Sequence, residues 1–153
     1  MMAGDTSAAM RDVLGWLLQN STHDRKAPAV VATTPAGELH EFGAMMAAVV
    51  AAVAGWRVLY LGPNVPAAEL VRIAKESRAR AVLASLSNRE DAPAVLRDEL
   101  LRLRDGVGSR LHIIVGGAAT EDHRLTFRRA GIELVQSRAA LRQALDAIWT
   151  RST

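Results

Sequence analysis

With 153 residues, half of them hydrophobic and 23% charged, the chain is long enough for one packed domain and too apolar to be disordered. It contains no cysteine, which excludes disulfides, thiolate metal sites, iron–sulfur clusters and a cysteine nucleophile. Its pI of 10.2 accompanies a net charge of only +3, with arginines spread among acids, Lys26 and Lys75 as the only lysines and 4% aromatic residues, so no direct nucleic-acid binding is expected.

In chain order, Met10, Val13, Leu14, Leu17 and Leu18 recur at helical spacing and predict an N-terminal helix, which the polar run Asn20 to Lys26 ends. From Pro28 onward short apolar runs predict buried strands at Ala29–Thr33, Arg57–Leu61, Ala81–Ser85, His112–Val115 and Ile132–Val135. Between them lie helical stripes: Phe42, Met45, Met46, Val49 and Val53; then Leu70, Ile73 and Ala74; then Leu96, Leu100 and Leu103; then a weaker one around Leu125. Leu141, Leu145, Ile148 and Trp149 close the chain with a last amphipathic helix. Strands that are each followed by a helix predict an α/β fold, a doubly wound five-stranded parallel sheet of flavodoxin-like order 2-1-3-4-5. Residues 1–27 are expected to form a helix and its connection, and residues 28–153 the domain proper. The longest apolar stretch, Ala44 to Ala54, falls short of the roughly 20 residues that cross a bilayer, and nothing at the N-terminus resembles a signal peptide. No membrane association and a cytoplasmic location are therefore expected.

In such a sheet ligands bind beyond the carboxyl ends of the strands, at the switch between the first and third. The loop after the first strand, residues 34–43, is longer than usual for this fold and carries His40. After the third strand come Ser85, Leu86, Ser87 and Asn88, and after the fourth Gly116, Gly117, Ala118 and Ala119. Together they outline a slot with one ligating group, hydroxyl donors on one wall and bare backbone on the other. Taken singly each element has an ordinary explanation: a histidine in an exposed loop, Glu38 complementing a helix dipole, serines as strand-end caps, paired glycines as a tight turn. His23, His112 and His123 read as structural, Met45 and Met46 as core, and Trp16, Trp56 and Trp149 as packing anchors.

Taken together, Glu38-Leu39-His40-Glu41-Phe42-Gly43, then 41 residues to Ser85-Leu86-Ser87, then 28 residues to Gly116-Gly117, resemble the cobalamin-binding domains. These occur in methionine synthase, carbon-skeleton mutases, corrinoid methyl carriers and light-responsive regulators of the MerR class. The resemblance implies that His40 replaces the cofactor's benzimidazole as lower axial ligand of cobalt, while the displaced tail enters the sheet edge. Glu38 would orient the imidazole, Gly43 would let the loop turn into a helix, and Ser85, Leu86, Ser87, Gly116 and Gly117 would line the tail. Two positions depart from the family's pattern: Glu38 stands where aspartate is usual, and Ser87 where leucine is usual. The stretch Gly55 to Pro66 is most similar to the regulator branch and implies a sensory or regulatory role; a carrier subunit for a methyltransferase or mutase is the alternative. The implied cofactor is adenosylcobalamin or methylcobalamin, and the chain by itself is expected to hold no complete active site. The residues before Pro28 are too few for a helical bundle or barrel, so a protein partner or a second copy is expected to cover the cofactor's upper face.

Other chemistries fit less well. Glu38, His40 and Glu41 lack the spacing of a zinc hydrolase, and Thr33, Thr34 and Ser85 stand where a phosphoacceptor domain needs acids. A flavin phosphate loop at Thr33 to Glu38 would lose a donor at Pro35. Haem held through His40 and a cofactor-free interaction domain remain as rivals.

Overall fold

The computed structural model describes residues 3–20, 26–87 and 93–152; His23 and Asn88 lie outside them. Helix α1 (Ala3–Asn20) precedes β1 (Ala29–Pro35), α2 (Phe42–Val53), β2 (Arg57–Val65), α3 (Ala67–Glu76), β3 (Ala81–Ser85) and α4 (Pro93–Val107). The chain continues through β4 (His112–Gly116), a 3-10 turn (Ala118–His123), α5 (Arg124–Arg129), β5 (Glu133–Val135) and α6 (Arg138–Ser152). All strand pairs are parallel, as the alternation of apolar runs and helical stripes predicts, and the order β2-β1-β3-β4-β5 is the expected flavodoxin-like one.

Side chains on successive strand residues point to opposite faces, and the core divides accordingly. Val31, Val82, Ile113 and Val115 pack against Leu70 of α3 and Leu96, Leu100 and Leu103 of α4. Val30, Ala32, Leu83 and Ile114 pack on the other face against Met45 of α2, Leu141 and Leu145 of α6, and Leu14 of α1. Trp56 sits in this second layer with its ring edge-on to Trp149, the centroids 5.8 Å apart.

Five sequence expectations need correction. Only the inner strands are buried throughout or nearly so; the edge strands β2 and β5 are half-buried, since each has one neighbour and one open side. Strands β1 and β2 run on to Pro35 and Val65, past Thr, Pro and Gly residues that read as breakers. The extension costs little because side chains complete its hydrogen bonding: Thr33 Oγ1 donates to the Gly62 carbonyl (2.9 Å) and Thr34 Oγ1 accepts from the Asn64 amide (2.8 Å). The loop after β1 is consequently only the six residues between Pro35 and Phe42, an ordinary length for this fold. Trp16 is not a packing anchor, being 62% exposed on the outer side of α1. Met46 is only partly buried and lines a cleft described below, whereas Met45 is core.

Arg104 fastens the far end of the domain. Its guanidinium donates to the carbonyls of Gly108 (2.7 Å), Leu111 (2.8 Å) and Gly131 (3.0 Å), tying the end of α4 to the start of β4 and to the turn before β5. Arg104→Ala is expected to lower stability by about 2 kcal/mol, the scale of charge-assisted hydrogen bonds lost at a half-buried site, as a shift of the urea midpoint at unchanged slope. His112 and His123 keep structural places: burial holds His112 below its ordinary pKa, and the His123 ring lies edge-on to Phe127.

Candidate functional site

The switch point of the sheet lies between β1 and β3, and the loop leaving β1 rises there. Its start is stapled to β2. The Gly37 amide donates to Asn64 Oδ1 (2.9 Å), Thr34 Oγ1 donates to the Glu38 carbonyl (2.6 Å), and the Glu38 amide donates to the Pro35 carbonyl (3.0 Å). Asn64 adopts a positive φ of 63°, a conformation asparagine tolerates better than most residues, and thereby turns its side chain to this task.

Glu38 is fully buried and its carboxylate bridges two elements. Oε1 accepts from the Ser87 amide and from Ser87 Oγ (3.1 Å) at the end of β3; Oε2 lies 3.3 Å from Nδ1 of His40. His40 itself is 70% exposed at the side chain. A proton on Nδ1, donated to the carboxylate, leaves the Nε2 lone pair for a ligand and increases its donor strength. The two positions that depart from the family's pattern thus touch each other: the longer acid reaches the hydroxyl that replaces leucine. Glu38→Asp and Ser87→Leu are accordingly expected to be non-additive in a urea-denaturation double-mutant cycle, the pair coupled by about 1 kcal/mol.

Three residues further on, Glu41 is anchored in turn. Its carboxylate is 7% exposed and accepts from Tyr60 Oη of β2 (2.7 Å) and from Arg11 Nε of α1 (2.5 Å). Burial, reinforced by Glu41, pushes the Tyr60 phenol up, so it remains a donor throughout the neutral range. His40 is therefore the exposed crest of a loop held by a buried carboxylate on either side, and Leu39 (69% exposed) and Phe42 (57%) flank it as uncovered apolar side chains.

Beside this crest a cleft of about 210 Å³ descends between α2 and the sheet, lined by Gly43 and Ala47 of α2, Ser85 of β3, Gly116 and Gly117 after β4, and Arg138 of α6. Its floor is apolar, from Leu83, Ile114 and Val135. Two of these glycines leave room that a side chain would take, Gly117 by necessity and Gly43 at the cost of moving the Ser85 hydroxyl. A Cβ at Gly43 would overlap Ser85 Oγ, and one at Gly117, where φ is 109°, would overlap the Leu86 carbonyl oxygen. The hydroxyl of Ser85 lines the cleft and has no hydrogen-bond partner among the described residues. Leu86 takes a different part: its side chain is fully buried in the α3 and α4 layer, and only its backbone reaches the site, bonding the Gly116 carbonyl and the Ala119 amide. Gln136, Ser137 and Arg138 also line the cleft, a contribution that no motif in the sequence indicates. The available signal was Ser137 just ahead of the last helical stripe, where its Oγ accepts from the Ala140 amide (3.0 Å).

The loop after β1 thus carries an exposed imidazole hydrogen-bonded to a buried carboxylate and runs into Gly43, which lines a largely apolar cleft at the switch point. Residues 28–145 match the B12 binding domain family, and the chain belongs to it. Its cofactor is a cobalamin or a related corrinoid. The site suits that group, since a largely apolar cleft opens at the switch point and His40, three residues before the cleft-lining Gly43, leaves its imidazole exposed.

Among curated proteins the chain is 27% identical over 124 residues to dimethylamine corrinoid protein 2 of Methanosarcina acetivorans, covering 77% of this chain and 55% of that protein. The chain thus spans about half the length of the curated relative it matches. Among solved structures it resembles a cobalamin-binding protein from Desulfitobacterium hafniense (TM-score 0.65, 22% identity, 80% of this chain and 60% of that one). It also resembles a chain of the methanol:cobalamin methyltransferase complex of Methanosarcina barkeri (TM-score 0.71, 18% identity, 98% of this chain and 58% of that one). At these identities the structural likeness is one of fold. Among the described residues no helix is long and apolar enough to cross a membrane, and no group of three or more metal-ligating side chains stands together.

Proposed function

We propose that this chain is a corrinoid carrier module: it holds a cobalamin by its lower face through His40 and offers the opposite face to a protein partner. The observation that carries the reading is the exposed His40 imidazole between two anchored, buried carboxylates, on the loop that runs into the cleft-lining Gly43. Ser85 would donate to the buried end of the tail, Gly116 and Gly117 would let it lie close to the backbone, and Glu38 would hold the His40 proton at Nδ1. The bound corrinoid would supply the group-transfer chemistry, and the protein binding, orientation and exclusion of water. Leu39 and Phe42, uncovered beside His40, suit contact with the corrin rim or with the partner.

The relatives favour the carrier over the regulatory role implied by Gly55 to Pro66: one is named dimethylamine corrinoid protein 2 and another belongs to a methanol:cobalamin methyltransferase complex. A light test separates the two roles. Protein loaded with adenosylcobalamin in the dark is expected to elute at the same volume from a sizing column before and after illumination. A light-dependent change in association state would contradict the carrier reading and restore the regulatory one.

A further inference from the structure

Helix α1 lies outside the segment that matches the family, yet it reaches the cofactor loop. Its apolar side, through Leu14, joins the α2 and α6 layer of the core, and Arg11, one turn earlier, extends to Glu41, the residue next to His40. Tyr60 meets the same carboxylate from β2, so a helix and a strand converge on one buried acid. An ion pair between exposed side chains would be worth little. Here only Arg11 is exposed, at 57%, while Glu41 is 7% exposed, and removal of either donor would leave a buried carboxylate short of a partner. The carboxylate then has reason to swing toward water, and the backbone that carries it is the backbone of His40. Glu38 fixes the loop on its β3 side and Asn64 holds its start on β2, while Glu41 ties the end of the loop, next to His40, to β2 and α1.

We propose that Arg11, Glu41 and Tyr60 form a second anchor of the His40 loop, through which the docking of α1 sets the position of the imidazole and so the strength of axial ligation. The proposal rests on the corrinoid reading above and makes Arg11 and Tyr60 positioning residues. Because coupling between two sites is reciprocal, a bound corrinoid should in turn hold α1 in place.

The test uses Arg11→Ala, Arg11→Lys and Tyr60→Phe, with Arg142→Ala, which breaks a surface pair on α6, as the control. In the cofactor-free protein, hydrogen exchange of the amides of residues 38–41 is expected to speed up roughly tenfold in Arg11→Ala and Tyr60→Phe, with the β3 and β4 amides unchanged. After loading with cobalamin and reduction to the cobalt(II) form, the share of bound corrinoid whose electron paramagnetic resonance spectrum shows histidine nitrogen should fall. Affinity should weaken by roughly tenfold, as for other groups that orient a metal-binding histidine, and Arg11→Lys should recover most of both. Folded variants with wild-type loop exchange and a wild-type ligated share would overturn the proposal while leaving the carrier reading intact. A folded wild type that takes up no corrinoid would defeat both.

Discussion

Gly117→Ala is expected to lower stability by about 3 kcal/mol, more than any other single methyl group added to the site. The residue has φ 109° and ψ 166°, a region that only glycine occupies at low cost. An added Cβ would also overlap the Leu86 carbonyl oxygen, which is backbone and has no rotamer by which to withdraw. That carbonyl accepts from the Ala119 amide (3.0 Å), while the Leu86 amide donates to the Gly116 carbonyl (2.9 Å). Strain at residue 117 would therefore spread to both walls of the cleft. Thermal unfolding should show the loss, and any folded fraction should bind corrinoid more weakly. A variant with wild-type melting behaviour would mean that the loop after β4 has another conformation.

Glu38→Ala should have the larger effect on the cofactor. It removes the acceptor for the Ser87 amide and hydroxyl and the partner of the His40 Nδ1 proton in one change. Losing the group that orients a metal-binding histidine typically weakens binding by about ten- to a hundredfold, and corrinoid affinity should fall on that scale. Glu38→Gln keeps one carbonyl oxygen as acceptor and most of the shape while discarding the charge, so it should retain more stability than the alanine variant and yet ligate poorly. Measuring affinity by equilibrium dialysis beside urea denaturation separates the two parts. If both variants bound as tightly as wild type, the carboxylate would have no part in ligation.

The parallel sheet and the ends of β3 were legible because apolar runs alternate with helical stripes, and the strand order followed from taking the flavodoxin-like arrangement, one of the two common ones for that alternation. The true length of β1 and β2 was not, since Thr33, Thr34, Pro35, Gly62 and Asn64 are turn formers whose extended pairing depends on hydrogen bonds between side chains and a distant backbone. Trp16 defeats a rule of size, because a large apolar side chain can sit on the outer face of a helix whose inner face is already supplied by Leu14. At the site, His40, Glu38 and the paired glycines could be found from spacing. The contact between Glu38 and Ser87 could not, as 49 positions separate them and each looks like a mere departure from a pattern. The convergence of Arg11, Tyr60 and Glu41 is invisible for the same reason: no periodicity links three residues from a helix, a strand and a loop.

The central claim is that His40 ligates the cobalt of a corrinoid seated at this edge. The purified cofactor-free protein should be mixed with hydroxocobalamin, freed of unbound cofactor, reduced to the cobalt(II) form and examined by electron paramagnetic resonance, wild type beside His40→Ala. The account predicts that wild type retains corrinoid with a histidine nitrogen on cobalt and that the variant binds more weakly and lacks the histidine signature. Folded wild-type protein that retains no corrinoid, or a variant with an unchanged spectrum, would contradict it.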